Sequence, residues 1–159
     1  MRVSRSRALL GAAALAALAG CGSDSPTIPT DVAQAALTVT VKPNPITAPV
    51  TNPLGPVYTA GWTVTVTETA GLGGMVTAVK ASVYDAATGA LVGTYNYDDK
   101  DLLVFVGTNR IEAKGSLEVP QQLSYVLSAG KTSALLTVVV DFKDDKQHTL
   151  ETSVLVKIN

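Results

Sequence analysis

The chain has 159 residues, 47% of them hydrophobic and only 16% charged, and its 12 basic and 13 acidic side chains leave a formal net charge of -1. That length fits one ordinary domain plus an extension, and the apolar content is too high for intrinsic disorder. The near-neutral balance lacks the basic footprint that DNA or RNA binding requires, so no nucleic-acid partner is expected.

Residues 1–7, M-R-V-S-R-S-R, carry three arginines and no acid, and lead into an uninterrupted small and apolar stretch from Ala8 to Gly20. This is the layout of a signal peptide. As a helix the stretch reaches only about 20 Å, short of the roughly 30 Å hydrocarbon core of a bilayer, so a permanent transmembrane helix is not expected. It closes on Leu18-Ala19-Gly20-Cys21, which resembles the lipobox of bacterial lipoproteins. The resemblance implies cleavage between Gly20 and Cys21, a diacylglyceryl thioether on the Cys21 sulfur, and a further acyl chain of the palmitate class on the freed amine. Small Ala19 and Gly20 suit a peptidase, and cysteine alone supplies a thiol. The alternative, an ordinary secretory signal, leaves the chain's single cysteine unexplained. Two or three acyl chains, at about 0.8 kcal/mol per buried methylene, hold a protein far more firmly than a single myristoyl. Gly22 follows the cysteine where an aspartate does not, which resembles the pattern for transfer to the outer membrane of Gram-negative bacteria. The expected location is the bacterial cell envelope, with the membrane as a partner through the N-terminal lipid.

Three segments follow: a signal peptide over 1–20, the lipidated cysteine and a tether over 21–34, and a folded domain over 35–159. From Gly22 to Gln34 the sequence G-S-D-S-P-T-I-P-T-D-V-A-Q has hardly any apolar periodicity. Extended, it spans at most about 45 Å. With only one cysteine there is no intramolecular disulfide, and the domain must stand on its core.

Beyond the tether the pattern has period two. Ala35 to Lys42 alternates Leu37, Val39 and Val41 with threonines and ends at Pro43. The segment from Pro43 to Pro56 holds five of the eight prolines and reads as a long irregular connection. Tyr58 to Glu68 sets Tyr58, Ala60, Trp62, Val64 and Val66 on one face against threonines on the other, which predicts a half-buried strand. Gly71-Leu72-Gly73-Gly74 is a turn into Met75 to Tyr84, with Val79, Ala81 and Val83 on its core side. Leu91 to Tyr97 reads as a short strand, Asp98 to Asp101 as a charged turn, and Leu102 to Val106 as another strand. Arg110 to Val119 and Gln122 to Leu127 alternate less clearly. Thr132 to Phe142 and His148 to Ile158 form the final hairpin across Lys143-Asp144-Asp145-Lys146-Gln147, and the apolar Leu135 and Val139 on its other face predict that the first of the two is central and covered on both sides.

About seven or eight short strands with turns every 8–12 residues make an all-β, two-sheet antiparallel sandwich, with a small open barrel as the second possibility. The pattern resembles an immunoglobulin-like or fibronectin type III-like domain, with Trp62 as its core tryptophan. It departs from that family in lacking a cysteine pair, in carrying the tryptophan on the second strand, and in having no clear tyrosine corner. The likeness is architectural and implies no activity.

Catalysis has little to work with. His148 is the only histidine, and neither a nucleophile elbow nor a zinc-ligand set accompanies it, so the domain reads as non-catalytic and without a cofactor. The glycine turn leads into a strand, whereas a phosphate cradle needs a helix N-terminus. Asp98, Asp99 and Asp101 put three carboxylates in four residues, a calcium candidate if other loops complete the ligands, although a solvated turn is commoner. Asp144 and Asp145, beside Lys143 and Lys146, read as a solvated hairpin tip. Tyr84, Tyr95 and Tyr97 are candidates for an exposed aromatic strip on which sugars stack, against the commoner reading of cross-strand packing. The expected partner is therefore an envelope protein or a glycan.

Overall fold

The computed structural model describes residues 34–52 and 57–159, so Gly20 and Cys21 lie outside the described residues. Nine strands and one helix follow in order: β1 (Leu37–Lys42), β2 (Val50–Asn52), β3 (Val57–Glu68), β4 (Gly74–Asp85), β5 (Leu91–Asp98), α1 (Asp99–Phe105), β6 (Arg110–Ile111), β7 (Ser116–Val126), β8 (Ala134–Asp144) and β9 (Thr149–Ile158). They form an immunoglobulin-like sandwich of two sheets whose strand-to-strand ladders are all antiparallel.

In the first sheet β7 pairs with β3 from Val57 to Thr67, filling one edge of β3. β1 and β2 must therefore share the other edge, β1 opposite Thr63 to Glu68 and β2 opposite Val57 and Tyr58. In the second sheet the order is β5-β4-β8-β9, with β6 beside the first residues of β4. The proline-rich connection crosses between the sheets. Ile46 N–H donates to Lys157 O at 3.0 Å and Asn159 N–H to Ile46 O at 2.9 Å, so this segment adds a parallel bridge to the free edge of β9 before the chain returns to the first sheet as β2. It is thus not wholly irregular, and its buried Ile46 helps close the open side of the sandwich.

The core follows the predicted alternation. Tyr58, Ala60, Trp62, Val64 and Val66 of β3 face Val79, Ala81 and Val83 of β4 and the even-numbered apolar residues of β8, and all are buried. Trp62 donates its indole N–H to Gln121 Oε1 at 2.9 Å, which satisfies the one polar atom of a ring otherwise packed in apolar surroundings. Gly74 lies so close to Lys143 O and the Phe142 ring that a Cβ there would clash with backbone, and this fixes the start of β4 against β8. Pro120 is tolerated inside β7 because β7 is an edge strand.

Three expectations are corrected. Leu102 to Val106 is not a strand: α1 occupies Asp99–Phe105. Arg110 to Leu127 is not two alternating segments but the two-residue β6 followed by β7, Ser116–Val126. β8 is central, yet among the described residues no layer covers its outer face, where Leu135 and Val139 are only half-buried.

Candidate interaction surface

The outer face of the second sheet follows directly from register. Side chains directly opposite one another in an antiparallel ladder lie on the same face. One row therefore reads Leu91, Tyr84, Leu135, Lys157; the next Thr94, Ser82, Thr137, Leu155; the next Asn96, Lys80, Val139, Ser153. Leu91 is 55% exposed and Leu155 63% exposed. With half-buried Tyr84, Leu135 and Val139 they make an apolar field across four strands.

The opposite end of the same face is polar. Asp141 stands opposite Glu151, and Lys80 Nζ lies 2.6 Å from Asp141 Oδ2. The ammonium relieves the repulsion between two facing carboxylates, and Asp141 in turn raises the Lys80 pKa through this hydrogen bond and its charge. A β-bulge sets this end apart. Thr77 is the extra residue between Val76↔Phe142 and Ala78↔Asp141, so Val76 and Val79 can both face inward. A pocket of about 390 Å³ opens at the bulge, lined by Thr77, Asp141, Thr149 and Glu151 with parts of Phe142 and Leu150.

The tyrosine candidates do not form one strip. Tyr95 pairs with Ala81 and Tyr97 with Val79, both core-facing, so the two rings lie on the inner side, edge to face at 4.8 Å. Burial, with the Tyr95 hydroxyl beside it, pushes the Tyr97 phenol up to about 12. Tyr84, opposite Leu135, lies on the other side of the sheet. Sheet packing absorbs the pair, and only Tyr84 belongs to the exposed face.

The three-carboxylate candidate is a helix cap. Asp98 Oδ1 accepts from Lys100 N–H and Asp101 N–H, each at 2.9 Å, while Asp101 Oδ2 accepts from Asp98 N–H at 3.2 Å, which is a reciprocal capping box. Asp99 adds a negative charge to the first turn, where it favours the helix dipole. Among the described residues no group of three or more His, Cys, Asp and Glu side chains is placed to hold a metal.

The hairpin tip is not uniformly solvated. Asp145 is exposed and takes a two-pronged ion pair from Arg110 at 2.9 and 3.0 Å, but Asp144 is buried. Asp144 accepts from Ala35 N–H, Lys146 N–H, His148 N–H and the His148 ring nitrogen at 3.0 Å. Burial opposes its charge, yet these donors, those of His148 foremost, hold its pKa below the ordinary aspartate value. His148 is thereby a partner of a structural carboxylate.

Two further buried acids carry the same role. Glu68 gathers the N–H groups of Ala36, Ala70, Gly71 and Lys114, and Asp85 those of Ala87, Thr88 and Ser128. Burial works against ionisation of Glu68, but the four amides prevail and bring its pKa down to about 2. Asp85 is likewise lowered to about 2, chiefly by the Ala87 amide. A signal for all three acids was present in the alternation: each is the next inward position after the last inward apolar residue, Val66 then Glu68, Val83 then Asp85, Phe142 then Asp144.

No protein-family model matches the chain, and no curated protein matches it in sequence. Among solved structures it is similar to the X-ray structure of the Northeast Structural Genomics Consortium target SoR45, with a TM-score of 0.58 and 10% identity over 76% of this chain and 84% of that one. It is also similar to the crystal structure of a Bordetella pertussis protein assigned as ApaA, with a TM-score of 0.55 and 16% identity over 77% of this chain and 93% of that one. At such identities the likeness shows the fold alone.

Proposed function

We propose that this protein is a lipid-anchored, non-catalytic module of the bacterial envelope that presents the outer face of its second sheet to an envelope protein. The anchor is read from Arg2, Arg5 and Arg7, the apolar stretch behind them and Leu18-Ala19-Gly20-Cys21. The observation that carries the binding role is the apolar field of Leu91, Tyr84, Leu135 and Leu155, left open on a face that no element of the described domain covers. Three aliphatic side chains around one tyrosine suit a protein surface better than a glycan, whose rings need aromatic platforms. A structural role for His148 is supported by its bond to Asp144, whose other lone pairs hold loop amides. Anchoring confines the domain to a surface, so a modest interface suffices there.

The anchor is tested by fatty-acid labelling: wild type takes label, and Cys21→Ser loses it and accumulates as unprocessed precursor. A labelled Cys21→Ser chain refutes the assignment. The face is tested by a photo-crosslinker at position 155 in intact cells. A discrete protein adduct that disappears with Leu91→Asp supports the reading, and a yield no higher than from a crosslinker at Thr40, on the other sheet, overturns it.

A further inference from the structure

The run Leu102-Leu103-Val104-Phe105-Val106 is used sparingly by the fold. Leu102 is fully buried and Val106 half-buried, while Leu103, Val104 and Phe105 are 52%, 75% and 60% exposed. Among the described residues the other exposed large hydrophobics stand singly in sequence; these three are consecutive. Solvent exposure of three such side chains in a row is costly unless something covers them. The helix that displays them is firmly held. Its N-terminus is closed by the Asp98–Asp101 box, its C-terminus by Val106 N–H and Gly107 N–H on Leu102 O at 2.9 and 3.1 Å, and Phe105 rests against Tyr97 with ring centroids 5.5 Å apart.

Position in the fold says what covers them. α1 leads into β6, which pairs with Gly74 and Met75 at the start of β4, and Arg110 of β6 grips Asp145 in the β8–β9 turn. At this same end the chain enters the domain: Ala35 N–H donates to Asp144 Oδ2 at 3.3 Å and Ala36 N–H to Glu68 Oε1 at 3.2 Å. Cys21 lies fourteen residues before Ala35. The exposed triplet is therefore at the end of the sandwich through which the lipid-bearing segment arrives, and a tether spanning at most about 45 Å keeps that end within reach of the membrane.

We infer that α1 seats Leu103, Val104 and Phe105 in the interfacial region of the same lipid layer that holds the Cys21 anchor. This inference rests on the anchor reading. The contact is apolar, and the charged side chains around it, Lys100 and Arg110 against Asp98, Asp99, Asp101, Glu112 and Asp145, are net negative. It therefore draws nothing from attraction to anionic lipid, and salt does not weaken it. Docked this way, the entry end of the sandwich rests on the membrane and the outer face of the second sheet stands clear for a partner.

The test uses the full acylated chain in phosphatidylethanolamine/phosphatidylglycerol vesicles, with Val104→Trp as the reporter and the parent chain, whose Trp62 is buried, as background. On reconstitution the new indole should shift its emission to the blue and be quenched by lipids brominated high on their acyl chains, no less at high salt than at low. Adding Phe105→Asp should abolish both effects while leaving the Trp62 signal unchanged. Water-like, unquenched emission from a chain that carries label overturns the inference and leaves the anchor standing. A blue shift without quenching reports cover by protein, a second copy or another chain, and also overturns it. A wild-type chain that takes no fatty-acid label overturns the anchor, and the inference falls with it.

Discussion

On the outer face of the first sheet Thr38 stands opposite Thr67 and Thr40 opposite Thr65, whereas on the second sheet Leu91 stands beside Tyr84 and Tyr84 beside Leu135. The inner faces of the two sheets are alike, both lined by buried aliphatic and aromatic side chains. The hydroxyl-rich face supplies β-propensity through branched side chains and meets water without penalty. Its apolar members are few, Pro120 and the facing pair Val57 and Val126, so a sheet of this sandwich needs little that is apolar outside. The larger apolar field on the second sheet therefore exceeds what folding requires, and that excess is the ground on which it is proposed as a docking face.

The equivalence of the inner faces can be broken by large deletions. Trp62→Ala on the first sheet and Phe142→Ala on the second should each cost about 3–5 kcal/mol in urea unfolding, since both side chains are buried. A near-neutral result for either would mean that its sheet contributes little to the common core. The Trp62 change also frees Gln121 Oε1 inside the sandwich, so it should fall at the upper end of that range.

A second contrast is between the core and the loops that close it. Glu68→Gln preserves shape but sets an amide N–H₂ against backbone donors, and it should lower the thermal midpoint by about 5 °C or more. Acid has a related effect. Glu68 and Asp85 ionise near 2 when folded against ordinary values of 4.5 and 3.8, so their contribution is complete above about pH 5 and is lost as pH falls toward 2. Unfolding midpoints measured between pH 7 and 2 should fall through that window, and less steeply in Glu68→Gln. An equal slope in the variant would show that Glu68 does not hold its loops.

The strands were legible because half-buried strands alternate, and β1, β3, β4, β5, β8 and β9 all do. The long ladder of β7 was harder to read because Pro120 and Gln121 interrupt its apolar sequence, and Gln121 turns inward only because the Trp62 indole gives it a partner. α1 is hidden because five apolar residues in a row carry no period and fit a strand as well as a helix, while the Asp98-x-x-Asp101 spacing that caps it reads equally as a solvated charged turn. Tyr95 and Tyr97 share a face, as their spacing implies, but which face depends on the β4–β5 register, shifted at Val92, and no local pattern gives that. The exposed field on the second sheet is only half visible: Leu135 and Val139 fall on the face opposite the core residues of β8, but apolar side chains there predict a covering layer, and its absence from the described domain is a matter of topology.

Smaller effects sharpen the account of the polar groups around the second sheet. Asp98→Ala should cost about 1 kcal/mol through loss of the cap. Millimolar calcium, compared with chelator, should leave the wild-type thermal midpoint where it is. A calcium-dependent rise that the substitution removes would restore a metal to Asp98, Asp99 and Asp101 and cancel the capping account.

The smallest expected change in stability carries the most information about function. Leu155 is 63% exposed and lies opposite Thr137, so Leu155→Thr replaces an apolar side chain by a strand-favouring hydroxyl and makes this position resemble the first sheet. Its unfolding free energy should change by no more than about 0.5 kcal/mol. Crosslinking from a probe at Leu91 in cells should nevertheless fall sharply, because the field has lost one of its most exposed members while the fold is intact. Thr65→Val performs the converse exchange on the first sheet and should leave that yield unchanged. If Leu155→Thr proves strongly destabilising, Leu155 is part of the structural core after all. If instead both exchanges leave the crosslink untouched, the two outer faces are equivalent in use, and the apolar one is no interface.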